Sequence, residues 1–186
     1  MMKTLETLRT EIVFEAKKGY PILLSGSCVF FIFILLPFIF PMATVQLVWI
    51  FGLTAIFPLG LLISKFLGVN ILSSGNPLGT LGGIVAFAQA FFIPVFIVVY
   101  IHIPAYLPFT IGLLGGSHFL PYMWIYKSNA YLVVTLGVCL SSFFLGGWFV
   151  NQAFILVPLA IFLVYGIGVL LIIKELRVES SRSDSK

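Results

Sequence analysis

Residues 153–173 read AFILVPLAIFLVYGIGVLLII, 21 positions in a row without a charged side chain, closed by Lys174 and Glu175. At ~1.5 Å of rise per residue a helix of that length spans about 30 Å, the thickness of a bilayer's hydrocarbon core. The run is apolar throughout rather than at alternate positions, so it reads as a helix and not as a barrel strand. Lipid offers no partners for backbone N–H and C=O groups, which makes the helix the default for every such run.

Working outward, five more runs of the same kind precede it: Tyr20–Phe40, Val45–Leu67, Leu81–Tyr100, Leu107–Tyr126 and Ala130–Val150. With Ala153–Ile173 they give an all-α, polytopic membrane protein with six transmembrane helices over residues 20–173. Composition agrees. Of the 186 residues 61% are hydrophobic and 9% charged, with a mean hydropathy of +1.18. Soluble domains carry about 25% charged residues, and a chain this short leaves roughly a third of its unfolded surface exposed however it folds. A soluble catalytic domain, a nucleic-acid reader and a secreted disulfide scaffold are thereby excluded.

The charges set the orientation. Nine of the ten lysines and arginines lie in the N-terminal tail, in the link after the fourth run or in the C-terminal tail, and the tenth, Lys65, sits at the C-terminal end of the second run. The links after the first, third and fifth runs carry none. By the positive-inside rule both termini are cytoplasmic and the localisation is the cell membrane. Lys65 and Lys127 sit at run ends and can snorkel to that same side. Trp49, Trp148, Tyr100 and Tyr106 fall near the outer ends, and Tyr20, Trp124, Tyr126 and Tyr131 near the inner ones, where aromatic belts sit. The net charge of +4 is thus a matter of topology.

The tails differ in character. Residues 1–19 place Leu5, Leu8 and Ile12 at helical spacing, with Glu6–Arg9 and Glu15–Lys18 three apart. They read as an amphipathic helix on the cytoplasmic membrane face rather than a cleavable signal. Residues 174–186, KELRVESSRSDSK, read as a disordered polar tail.

Polar side chains inside the runs are where function is sought. Counted at ~1.5 Å per residue from the cytoplasmic end, Gln89 lies roughly 10–12 Å deep and His118 about 12 Å. Ser27, Cys28, Cys139 and Tyr165 reach ~10–15 Å by the same count. Pro58 falls near that depth and removes one N–H from its helix. Gly115, His118, Tyr122 and Tyr126 form one stripe on the fourth run. Gly82, Ala86 and Gln89 form another on the third, and small residues let such backbones approach. A neutral imidazole and a glutamine amide can each donate and accept. Two accounts follow: a packed helix pair joined by a Gln89–His118 hydrogen bond, or a polar pocket made of Gln89, His118, Tyr122, Tyr165, Ser27, Cys28 and Cys139. The two cysteines have neither disulfide nor metal spacing. No cofactor is implied, and one histidine without an intramembrane acid meets the needs of neither a hydrolase nor a metal site.

The stretch GVNILSSGNPLGTLGG, residues 68–83, is the longest internal link, and Asn76-Pro77 between glycines is a turn signal. It reads as a cytoplasmic loop, with a re-entrant segment as the other possibility. The phosphate-cradling GxxxxGKS pattern is absent.

GNPLGTLG from Gly75, Gln89, and HFLPYMWIYKSNAY from His118 together resemble a small family of multi-pass bacterial membrane proteins without an assigned function. The resemblance covers Leu8 to Tyr131. It implies a plasma-membrane protein and supplies no substrate, cofactor or catalytic residue. Two functional classes remain: a small transporter or ligand-binding membrane protein for a neutral or weakly polar solute, or a non-transporting structural or regulatory component whose polar layer fixes helix packing. An enzyme is not expected.

The charge census makes a direct prediction. Reporter fusions after Gly75, after Ser128 and at the C-terminus should report cytoplasm, and fusions after Pro104 and Gln152 the outside. A periplasm-active reporter at the C-terminus would require an odd number of crossings and end the six-span scheme.

Overall fold

The computed structural model describes residues 3–183, and every regular element in them is helical. The helices are α1 (Leu5–Ala16), α2 (Tyr20–Leu35), α3 (Met42–Gly52), α4 (Ile56–Phe66), α5 (Pro77–Ala88), α6 (Ile93–His102), α7 (Leu107–Ser117), α8 (Leu120–Ile125), α9 (Asn129–Trp148) and α10 (Ala153–Ser183). Five stretches are long and apolar enough to cross a membrane: Leu5–Phe38, Met42–Phe66, Pro77–His102, Asn129–Trp148 and Val150–Ser181. The run expected as one helix over Leu107–Tyr126 is instead two, α7 and α8. Pro121 has no N–H for the carbonyl of Ser117, and the chain loosens there.

The first of these stretches is broken near its start. Lys17, Lys18 and Gly19 take φ of 47°, 53° and 69° in succession, a left-handed turn that swings α1 away from the axis of α2. Two lysines in that region are strained, and Gly19 supplies the third position without a Cβ penalty. Ile12, Val13 and Ala16 are buried on α1, whereas Leu5, expected on the same apolar face as Ile12, is exposed. Asn76 then ties α1 to α5. Its Oδ1 accepts from the N–H of Leu78, capping α5, while its Nδ2 donates to the carbonyl of Leu8 at 2.7 Å. Arg9 donates to the carbonyl of Trp124 and lies 4.8 Å from the centre of its ring. The Lys127 ammonium bonds Glu6 and holds that carboxyl below its usual range. Helix α5 begins at Pro77, so only the first part of the 68–83 stretch is loop.

The helices form a ring. Helix α2 packs on α10, α10 on α9, and α9 on α7; α8 meets α5, α6 meets α7 and α3, and α4 returns to α2. Glycines set the closest approaches. A Cβ on Gly26 would stand 2.7 Å from the Tyr165 ring, and one on Gly146 would stand 2.8 Å from the Cα of Phe109. Cβ atoms on Gly112 and Gly168 would collide with Ser142 and Val134 respectively. Such contacts let dispersion act between backbones where lipid removes the hydrophobic drive. The α5–α6 segment is the loosest member, with 11% of its apolar window buried against 50% for the first stretch.

One charged cluster closes an end of the ring. Lys18 is fully buried, and its Nζ lies 2.9 Å from Glu175 Oε2 and 2.9 Å from Glu179 Oε1. Glu175 Oε1 accepts from the N–H of Ala130 at 3.2 Å, satisfying one of the unpaired donors at the start of α9. Tyr131 donates its hydroxyl proton to the carbonyl of Lys18 at 2.6 Å. This cluster corrects the reading of residues 174–186 as a disordered tail, because α10 continues to Ser183. A buried ammonium needs carboxylates, and Glu175 and Glu179 reach it from one face only while the chain stays helical. Residues 184–186 lie outside the described residues.

Trp49, Tyr126 and Tyr131, expected near the run ends, are buried against neighbouring helices. Trp49 stacks on Phe33 at 5.1 Å and meets Phe154 at 5.2 Å.

Removing the Lys18 ammonium leaves two carboxylates facing each other. Breaking a buried ion pair costs about 3–5 kcal/mol. Lys18→Ala should cost of order 2–3 kcal/mol, at or below the bottom of that range, because Glu175 and Glu179 keep partial access to water. Adding Glu175→Gln and Glu179→Gln should recover much of the loss. Unfolding of the detergent-solubilised protein measures both, and a Lys18→Ala protein as stable as the parent would contradict the cluster's role.

Candidate functional site

Inside the ring lies a cavity of about 530 Å³ to which every spanning element contributes. Its walls are mainly aliphatic and phenylalanine side chains, with Gly82, Gly83, Gly112 and Gly115 supplying bare backbone. Among the described residues, no aspartate, glutamate, lysine or arginine lines it.

Three prolines explain why the space exists at that level. Pro58, Pro94 and Pro121 each withhold an N–H from the carbonyl four residues earlier, at Thr54, Ala90 and Ser117. The chain answers with a tight 3₁₀ turn at Leu53–Ala55, another at Gln89–Phe92, and the break between α7 and α8. Leu53, Thr54, Gln89, Ala90, His118 and Phe119 all belong to these breaks and all line the cavity. Three different spanning segments therefore lose their regularity around one space. Pro158 makes the contrast, since it sits inside α10 without interrupting it.

Of the residues singled out from sequence, Gln89, His118, Tyr122 and Tyr165 line this cavity. The expected Gln89–His118 hydrogen bond is not formed. Gln89 Nε2 points to the carbonyl of Ala86 at 3.4 Å, and His118 Nδ1 bonds the carbonyl of Gly115. Each side chain turns back on its own helix because the local 3₁₀ geometry presents a carbonyl nearer than the neighbour. The two stripes do meet, one turn nearer the cytoplasmic end by the charge count. There Tyr122 donates to the carbonyl of Gly82 at 2.7 Å. Gly82 has no side chain to hold the phenol off.

Ser27, Cys28 and Cys139 lie outside the cavity walls. Ser27 donates to the carbonyl of Phe162 at 3.3 Å and serves α2–α10 packing. Cys28 is exposed on the outer surface of the ring. Cys139 points its thiol at the carbonyl of Leu113, 3.5 Å away, beside Gly116. Depth alone grouped these three with the others, and depth carries no information about which way a side chain faces.

Lining residues outside that set include Thr54, Tyr126, Tyr131 and Gly115. Tyr126 was visible as part of the fourth-run stripe, one turn from Tyr122. In the structure the two rings stack at 6.0 Å and Tyr131 completes the group at 5.8 Å from Tyr126. Phe119 joins this group to Tyr165 at 5.4 Å, edge to face. Among the described residues no three or more of His, Cys, Asp and Glu gather as metal ligands would.

The fold and the site together define an all-helical protein, with helices long and apolar enough for a membrane, arranged around an uncharged interior cavity. The chain belongs to DUF7010, a family of unknown function, whose profile matches residues 5–175. No curated protein and no solved structure matches it significantly.

Two substitutions check this geometry. A double-mutant cycle with Gln89→Leu and His118→Leu should give a coupling energy near zero, since the two share no bond. Tyr122→Phe should cost about 0.6 kcal/mol and at most ~1.7, the range for hydrogen bonds between membrane helices. A large Gln89–His118 coupling would contradict the arrangement.

Proposed function

We propose that this is an integral membrane protein of the cell membrane that crosses six times with both termini in the cytoplasm. Its interior cavity binds a small neutral or weakly polar solute, as in a small transporter or a ligand-binding membrane protein. The observation that carries this reading is the convergence of three proline-broken segments on one uncharged space. Non-helical backbone at membrane depth is tolerated only where it is buried in protein or lines a cavity. Broken helices around a central site are also how transporters expose backbone groups to a substrate.

The six-crossing scheme draws support from how the ends meet. The cation-bearing segments contact one another at one end through Lys18–Glu175, Lys127–Glu6 and Asn76–Leu8. The cation-free turns Pro104–Tyr106 and Val150–Gln152 meet each other. An even number of crossings places all the cations on one side. The interrupted α7–α8 segment then counts as the fourth crossing, with its break covered by α9 and α5.

The uncharged lining bears on the solute. A charged solute would lose its hydration without a counter-charge in the wall, which costs several kcal/mol. No nucleophile–base–orienter set lines the space, so the reading is binding or passage rather than catalysis.

Gly115 supplies the test. A Cβ there meets nothing within 4 Å, and Gly115 lines the cavity. Gly115→Leu should therefore fill space without disturbing the helix contacts, leaving unliganded melting unchanged or slightly raised. Neutral apolar and weakly polar compounds should stabilise the parent protein saturably, by ~2.7 kcal/mol at a hundredfold excess over Kd. That shift should vanish in Gly115→Leu. Absence of any shift across such a panel, or a shift indifferent to Gly115→Leu, would end the ligand-binding reading.

A further inference from the structure

The cavity's polar atoms are few, and each has an assignable role. The Gly115 carbonyl facing His118 Nδ1 can only accept, so Nδ1 carries the ring proton. The neutral ring therefore keeps its lone pair on Nε2, which bonds no described residue. Gln89 directs one Nε2 hydrogen to Ala86 and keeps a second N–H and the acceptor Oε1. Tyr122 already donates its hydroxyl to the carbonyl of Gly82. The hydroxyls of Tyr126 and Tyr165 make no hydrogen bond to any described residue, although both side chains are 5% exposed. Buried tyrosine hydroxyls ordinarily find a partner. Two unclaimed acceptors and two unclaimed phenols thus border one apolar space.

We infer that the cavity takes an apolar molecule bearing a single uncharged hydroxyl group, of the long-chain alcohol or phenol class, whose hydroxyl donates to His118 Nε2. The inference rests on the ligand-binding reading and makes it specific. A hydroxyl is the smallest group that can donate to an acceptor and accept from a phenol at once. A phosphate, carboxylate or ammonium head would find no counter-charge, since no ionised side chain lines the space. A pure hydrocarbon would leave all four groups unpaired. The remaining wall is apolar, which suits the tail. A volume of about 530 Å³ falls within the ~300–1,000 Å³ usual for small-molecule sites. Entry from the lipid fits the loose seating of α5–α6, the wall segment with the least burial.

The experiment compares dodecanol with its methyl ether, which keeps the chain and the oxygen but has no proton to donate. Melting of the full-length protein in lipid nanodiscs is followed against each compound, for the parent, His118→Phe, His118→Gln and Gly115→Leu. Dodecanol should raise the parent's melting temperature saturably, with an apparent affinity at least tenfold above that of the ether. His118→Phe should reduce the alcohol to the level of the ether. His118→Gln, which restores an acceptor oxygen, should recover part of the difference and guards against a folding defect in the phenylalanine variant. Gly115→Leu should abolish both responses. Equal affinity for alcohol and ether, both lost in Gly115→Leu, would overturn the hydroxyl assignment and leave the ligand cavity standing. The hydroxyl assignment also falls if neither compound acts on the parent while other neutral solutes do. Responses that persist in Gly115→Leu would overturn the cavity as the binding site and this inference with it.

Discussion

The rest of the structure depends on where one ammonium is kept. Lys18 is fully buried in a left-handed turn, and a lone ammonium there would cost several kcal/mol. It is tolerated because Glu175 and Glu179, one helical turn apart on α10, both reach it. Satisfying it has three structural consequences. The turn at residues 17–19 is held, so α1 folds back and does not lengthen α2. Helix α10 stays helical past its apolar run, since the carboxylates must project from one face. The start of α9 is capped by Glu175, with its dipole's positive end towards a carboxylate. The pair of acids leaves an excess negative charge, and the Ala130 N–H together with partial access to water offsets it.

Above this cluster the ring is built from two opposed devices. Glycine brings backbones together where Gly26, Gly112, Gly146 and Gly168 face a neighbour, and the resulting α2–α10–α9–α7 wall is dense. Proline holds backbones out of register where Pro58, Pro94 and Pro121 interrupt their segments. Helix packing needs continuous ridges, so interrupted segments cannot close on each other, and the space they leave is the cavity. Density on one side and openness on the other come from residue types at specific positions, not from a difference in hydrophobicity.

Much of the architecture was legible in the chain. Lipid satisfies no backbone group, so helicity of each apolar run follows from hydropathy and length alone, although α5 starts at Pro77, four residues before the run expected from Leu81. The stripe Gly115, His118, Tyr122 and Tyr126 lines the cavity although the helix breaks within it, between Ser117 and Leu120. Its partner was misjudged. The third and fourth runs meet through Tyr122 and Gly82 and not through Gln89 and His118, since the breaks at Gln89–Phe92 and Ser117–Phe119 rotate those two side chains onto their own carbonyls. Cys28 and Ser27 were placed by depth, a coordinate along the axis that says nothing of direction around it.

What the sequence by itself determined is one-dimensional: which residues are helical, how deep they lie, and which ends carry cations. Hydropathy and charge act along the membrane normal, so a linear string is enough to read them. Tertiary structure alone decided the angular coordinate. Nothing in the linear string tells Gly112, where a Cβ would strike Ser142, from Gly115, where a Cβ would meet nothing. The same holds for Trp49, an interfacial residue by position and a buried one by contact, and for the C-terminal tail. Its acids look like solvated charge until Lys18 is seen to lie against them. Such distinctions depend on which neighbour arrives, and neighbours in a ring of helices are separated by long stretches of chain.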